Sequence, residues 1–396
     1  MKSTTDNGKL TIFLEGRIDT SNASEIEAGI QEILNANEGT VPVFDASGLE
    51  YISSAGLRVL LKARKDVGAP IDVEEVSSEV YEIFETTGFT DLLNVKKKLK
   101  EISVDGCEVI GSGGYGKVYR IDDETIVKIY HEGVKKEYIE SEKKTSMDAF
   151  KMGIPTAISF NMVKCGSQYG VVYELFNAKT MAQLVTADPS RLPELGTKMA
   201  LKLKELHQIE VPENSGFQSR KQIFFDWLDT MLRPAITPEE YDKVRGFIES
   251  IPDRRTFLHG DYNSKNVMLQ DDEILLIDIG DAAYGHPIFD VAMVMLAYIV
   301  LPNSVIMSEE EKAHLLGFAP DLAPKMWGVM CGAYFGLQTP EEIGMLTQAT
   351  LPLMYLYVTY QGTSTGRSAP ETIVENVLRP KFFPAIEAGI PMKLDF

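Results

Sequence analysis

The 396-residue chain is poor in cysteine: Cys107, Cys165 and Cys331 are its only three, at no pairing or metal-type spacing. That excludes a disulfide scaffold and a thiolate metal site, and it fits a reducing cytoplasm. Histidine is scarce too, five in all, so any metal here is expected to be a hard cation held by oxygen. Basic residues are outnumbered 39 to 58, giving a net charge of −19. Such a field repels nucleic acid and anionic membranes at long range, so neither is expected as a partner. A phosphate ligand would need local lysine, backbone N–H groups or metal ions. Long apolar runs are missing as well. The longest, "VAMVMLAYIVLP", is too short to span a bilayer and reads as a buried helix. The opening "MKSTTDNGKL" is polar, which argues against a signal peptide. Internal repeats and low-complexity tracts are also lacking.

What is present is enough apolar residue, 44%, to bury substantial cores, in a length that suggests two or three folding units. Residues 9 to about 95 alternate strand and helix patterns. "KLTIFLEG" reads as a strand, "DTSNASEIEAGIQEILNANEG" as a capped helix and "VPVFD" as a buried strand. A second helix, "SSAGLRVLLKARKDVG", ends at Gly68, and "IDVEEV" then "SEVYEIFETTG" repeat the order. Such alternation predicts an α/β sheet with helices packed on it. The charged "NVKKKLKEISVDG" reads as a linker near 95–104. Beyond it come β-like runs, a charged helix from about 135 to 152, strands around 159–176, and a mainly helical remainder from 181. The resulting division is 1–98, a linker at 99–106, 107–178 and 179–396.

One stretch interrupts the helical remainder: "FLHGDYNSKNVMLQDDEILLIDIGD", residues 257–281. Its apolar runs "VML" and "ILLI" flank a turn signal at Asp271 and Asp272, which predicts a hairpin placing Asn266 opposite Ile277 and beside Asp278. Asp261 lies on the loop entering the first strand. Asn266 and Asp278 suit Mg²⁺, which takes few protein ligands and the rest from phosphate and water. Asp261 is then free to take a proton from an attacking hydroxyl. Taken alone, the stretch reads equally well as a solvated acidic hairpin.

Upstream, "GSGGYGKV" sets Gly111, Gly113, Gly116 and Val118 in G-x-G-x-x-G-x-V spacing. A dinucleotide site needs a helix starting at the glycines. Here "KVYRID" follows, a strand pattern, which favours a glycine loop lying over nucleotide phosphates. In "TIVKIY", Lys128 shares a strand face with Ile126 and Tyr130. A lysine so flanked is either a snorkelling edge residue or the partner of an anion. In the next helix Ile139, Glu142, Ser146 and Ala149 share one face, which makes Glu142 the candidate partner and Glu140 the fallback.

With these pieces in hand, residues from about 107 to 396 resemble the kinase-like phosphotransferases of the aminoglycoside phosphotransferase and choline kinase type. The matching segments are "GSGGYGKV", "IVKIY", Glu142 followed by "GIPT", "VVYELF", "HGDYNSKN", "LLIDIGD" and "HPIFDVA". The resemblance implies an α+β, two-lobed, protein kinase-like fold with a mainly helical C-terminal lobe, binding ATP and Mg²⁺ between the lobes. It implies Asp261 as catalytic base, Asn266 and Asp278 as metal ligands, and Lys128 as phosphate ligand paired with Glu142. His259 and Asp290 would support the catalytic loop, and Asp281 reads either as a supporting or as an exposed loop carboxylate. Ala157 and Lys265 depart from the usual pattern, Lys265 standing where a small residue is common. Residues of about 8–97 resemble a STAS domain, the fold of anti-sigma factor antagonists, through "VPVFDASGLEYISSAGLRVLL". In that family the serine at the start of the helix is phosphorylated, and the matching residue is Ser54. A helix N-terminus favours added negative charge. Ser53 stands where regulated members often have Asp, and Ser54 reads equally as an unmodified N-cap.

The expected function is transfer of the γ-phosphoryl of ATP to a hydroxyl, with a small molecule as acceptor and the STAS domain as regulator or docking module for a protein partner. Alternatives are a serine kinase acting on Ser54 of its own STAS domain or on a partner, and a non-catalytic nucleotide-binding signalling protein. Glu341 and Glu342, among several tyrosines, are the acidic residues the sequence offers for an acceptor site.

Overall fold

A computed structural model describes residues 1–389 apart from positions 7 and 306. The chain divides into two compact units: Met1–Ser103 with Met162–Gly166, and Val104–Asn161 with Ser167–Phe396.

The first unit is a five-stranded sheet in the order β1 (Ser3–Asp6), β2 (Lys9–Ile18), β3 (Val43–Ile52), β4 (Asp72–Val76), β5 (Asn94–Lys97). Only β1 pairs antiparallel; β2 through β5 run parallel, linked by helices α1 (Ala23–Ala36), α2 (Ser54–Val67) and α3 (Ser78–Thr86). This is the α/β arrangement expected of the alternating pattern. The core is built from Ile12, Phe44, Val73 and Phe84, all fully buried. Strand β5 lies within the charged stretch read as a linker. Val95 packs against the core, while Lys96 reaches Asp72 and Glu74 at 3.1 Å each. An edge strand needs one apolar side chain and tolerates lysines on its open side, so its charge masked it. Lys100–Glu101 (β6) pairs in parallel with Val163 and Lys164 in the same unit.

In the second unit, β7 (Val109–Ser112), β8 (Gly116–Arg120), β9 (Thr125–Tyr130) and β11 (Gln168–Glu174) form an antiparallel sheet in the order β11-β9-β8-β7; of β10 (Ser159–Cys165), only Ser159–Asn161 fall in this unit. Helix α4 (Lys136–Lys151) follows β9 and buries Ile139, Glu142, Ser146 and Ala149. From Met181 the chain is mainly helical, around a core in which Phe224 contacts the rings of Trp227, Phe289, Tyr357 and Tyr360. This is the kinase-like fold. Among the described residues two small sheets interrupt the helices, one of three strands and one of two. Thr256–Leu258 pairs with Ala283–Gly285, and Val267–Gln270 forms a hairpin with Glu273–Leu276. Asp271 and Asp272 turn it with φ of 47° and 73°, the twist hairpins require. Among the described residues no helix is long and apolar enough to cross a membrane.

Candidate active site

The hairpin register carries Asn266 to Ile277: the Ile277 N–H donates to the Asn266 carbonyl at 3.0 Å, so Asp278 emerges beside Asn266. Asp278 takes a left-handed conformation, φ 56°, which swings its carboxylate out of the strand line. There it meets Lys128. The lysine Nζ lies 2.6 Å from Glu142 Oε1 and 3.1 Å from Asp278 Oδ1, with Lys128 only 15% exposed and Glu142 6%. Tyr130, two residues along the strand, sets its ring beneath the same ammonium at 5.1 Å. Burial opposes the lysine charge, but Asp278 and Glu142 outweigh it and hold Lys128 well above the usual lysine range. Lys128 is therefore a paired, inward-facing cation rather than a snorkelling one. Glu140 faces solvent, 48% exposed, with Lys136 at 3.6 Å.

Asp261 is held by two neighbouring amides. Asn266 Nδ2 donates to its Oδ2 at 2.9 Å and Asn263 Nδ2 to its Oδ1 at 3.1 Å. With its NH₂ turned to Asp261, Asn266 keeps its amide oxygen available as a ligand. Burial, with the charges of Asp278 and Asp281 added, pushes the Asp261 carboxyl up to about 7, against the pull of the two amides. Behind the turn, Asp290 is fully buried and accepts the backbone N–H groups of His259 at 2.8 Å and Gly260 at 2.9 Å. His207 Nε2 adds a contact at 3.2 Å, and its Nδ1 meets the Tyr334 hydroxyl at 2.6 Å. Burial works against the Asp290 charge, yet these hydrogen bonds win and keep its pKa below the ordinary value. Gly260 sits at φ +85° with the Asp281 carbonyl where a Cβ would stand, so no other residue fits this turn. Arg220, buried, donates to that same carbonyl.

In the glycine loop the three glycines are not equivalent. A Cβ on Gly116 would collide with the Ile129 carbonyl, so this glycine is demanded by strand packing. Gly113 has nothing within 4 Å and Gly111 only ordinary contacts with Val118, whose backbone pairs with Lys128. Their bare faces leave room for a ligand to approach the backbone. Among the described residues no three His, Cys, Asp or Glu side chains form a metal cage. The Asn266–Asp278 pair fits a cation that draws its remaining ligands from phosphate and water.

Residues 106–321, more than half of the chain, match the phosphotransferase enzyme family. The chain belongs to that family. Residues 1–102 of this phosphotransferase match the STAS domain. Over 100 residues, 24% of the phosphotransferase, it is 37% identical to a putative anti-sigma factor antagonist, BtrV, of Bordetella bronchiseptica, covering 85% of that protein. Similar solved structures include an amicoumacin kinase in complex with AMP-PNP, Ca²⁺ and Ami (17% identity, 78% of this chain and 95% of that one, TM-score 0.46). Another is a choline/ethanolamine kinase family protein from Mesorhizobium loti (14% identity, 71% and 87%, TM-score 0.43).

Several sequence candidates have other duties. Lys265 does not face the cleft: its Nζ donates to the His314 carbonyl at 3.2 Å, closing a helix C-terminus. Glu342 is a helix cap, accepting the N–H groups of Gln338 and Thr339 at 2.9 and 3.0 Å. In the STAS unit the cap of α2 is Ser53, whose hydroxyl accepts from Ala55 at 3.2 Å and more weakly from Gly56 at 3.5 Å. Ser54 is exposed at the first helical position and its hydroxyl bonds to no described residue. Sequence reading missed Arg220, His207 and Tyr334. No local pattern marks them, since each acts across a fold distance of tens of residues.

Proposed function

We propose that this phosphotransferase moves the γ-phosphoryl group of ATP, with Mg²⁺, to the hydroxyl of a small molecule, under regulation by its STAS domain. The observation that carries the reading is the Lys128 ammonium, bridged between Glu142 and Asp278, together with an Asp261 oriented by Asn266. Lys128 supplies the local positive charge that an acidic protein otherwise denies a nucleotide, and Glu142 fixes its direction. Asn266 and Asp278 would hold the cation, which when bound spreads the charge on the phosphates. Asp261 aligns the acceptor hydroxyl. Its oxygen bonds to the γ-phosphorus as the bond to the β,γ-bridging oxygen breaks. The electron pair leaves with ADP, and the hydroxyl proton passes to an Asp261 carboxylate oxygen.

A second reading has a specific observation behind it. Ser53 satisfies the end of α2, which leaves the exposed Ser54 hydroxyl uncommitted at a helix N-terminus that favours phosphate. Incubation with γ-labelled ATP tests both. Label on the parent chain that disappears in Ser54→Ala supports self-modification or modification by a second copy. ATP consumption that requires an added metabolite, with no protein label, supports the small-molecule acceptor. Asp261→Ala should lose turnover by orders of magnitude if the protein is a kinase; a variant that keeps the parent's ATP consumption overturns Asp261 as the base, and a parent that consumes no ATP while the variant keeps its signalling is a nucleotide-binding module.

A further inference from the structure

The tip of the glycine loop is met by a cation from the far end of the chain. A side chain built on Gly114 would encounter Arg367 Nη2 at 3.4 Å. Arg367 follows the helix Pro340–Ser364 in a tight turn, fixed by Gly366 N–H donating to Thr363 at 3.1 Å and Ser368 N–H to Gly362 at 3.0 Å. It is exposed and makes no hydrogen bond or ion pair with any described residue. In a chain of net charge −19, an arginine left unpaired beside the ligand cleft stands out, because acidic partners are abundant elsewhere. The loop it touches is itself pinned. Tyr115 stacks on Tyr138 of α4 at 5.2 Å, and the Tyr115 carbonyl accepts the His131 N–H at 2.8 Å. Burial and the charge of Asp281 push the Tyr115 hydroxyl up, and the nearby Arg367 charge pulls the other way.

We propose that Arg367 is a further catalytic residue: its guanidinium reaches past the tip of the glycine loop to grip the terminal phosphate of the nucleotide. A planar fork of N–H donors matches phosphate oxygens in pairs, and a residue supplied from the helical part engages only when the loop lies over the phosphates. The inference rests on the nucleotide reading above. It assigns the γ-phosphate, and neither adenine nor the α- and β-phosphates, to this side chain.

The experiment compares MgATP and MgADP binding to the full chain by titration calorimetry, in the parent, Arg367→Ala and Arg367→Lys. Arg367→Ala is expected to weaken MgATP binding by about tenfold to a hundredfold and leave MgADP within about twofold, the range of one lost charge-assisted contact. Arg367→Lys should fall between, since an ammonium cannot fork. Unchanged MgATP binding in Arg367→Ala overturns the proposal. So does an equal loss for MgATP and MgADP, which would make the arginine a prop for the loop. A parent chain that binds neither nucleotide overturns the ATP reading itself, an outcome distinct from the other two.

Discussion

The 259–261 turn of the phosphotransferase unit and the start of α2 in the STAS unit share a design. Each sets a satisfied polar residue beside an unsatisfied one. At the turn, Asp290 accepts two backbone N–H groups and faces His207, and its pKa stays low. Asp261 receives two side-chain amides but faces Asp278 and Asp281, and rises to about 7. At α2, Ser53 is spent on capping and Ser54 is not. The difference is one of duty: groups whose bonding is complete hold the backbone, and groups left incomplete beside them are available for chemistry. A polar group strongly perturbed by its surroundings and open to a cleft is where reactivity is expected.

The contrast is broken most severely by exchanging the duties at the turn. Asp261→Ala should lower turnover by about 10²–10⁴-fold, with MgATP affinity little changed and the fold intact, read by steady-state kinetics and calorimetry. Asp290→Ala should instead cost about 3–5 kcal/mol of stability, because it strands buried N–H groups and the partner histidine; urea midpoints of the two variants separate the cases. If Asp261→Ala proves the more destabilising of the two, the division of duties is wrong.

Acid titration sharpens the same pair. The folded pKa of Asp290 is depressed, so its stabilisation is complete above the unfolded carboxylate range near pH 4 and is lost as pH falls through the lower folded value. Asp261 has the opposite sign. Its folded pKa of about 7 means the native state holds a proton the unfolded chain has released, so metal-free stability declines as pH rises from about 4 to about 7. Asp261→Asn should flatten that decline. A decline equal to the parent's would place the titrating group elsewhere.

At α2 the effects are smaller. Ser53→Ala should cost about 1 kcal/mol in thermal or urea unfolding of the STAS unit, the usual value of a lost cap, and Ser54→Ala close to nothing. Equal losses would mean both hydroxyls serve the helix end.

Much of this was legible in the residues. Alternating apolar patterns set the α/β order of the first unit, the hairpin at 267–276 followed from two apolar runs around Asp271-Asp272, and the face shared by Ile139, Glu142, Ser146 and Ala149 turned Glu142 inward. Strand β5 was hidden because a lone Val95 among lysines has no period to read. Ser53 and Ser54 could not be told apart either, since both residue types cap and only backbone angles choose between them.

The linear chain by itself determined the elements and the chemical kinds at the cleft, because local periodicity, turn residues and glycine spacing are short-range properties. Tertiary packing alone decided which groups meet: Lys128 with Asp278 across 150 residues, Arg220 with the Asp281 carbonyl, His207 with Asp290, Arg367 with the glycine loop. The reason is physical. Hydrogen-bond completion and desolvation depend on every neighbour in space, and those neighbours are fixed only when the helices and strands have closed on one core.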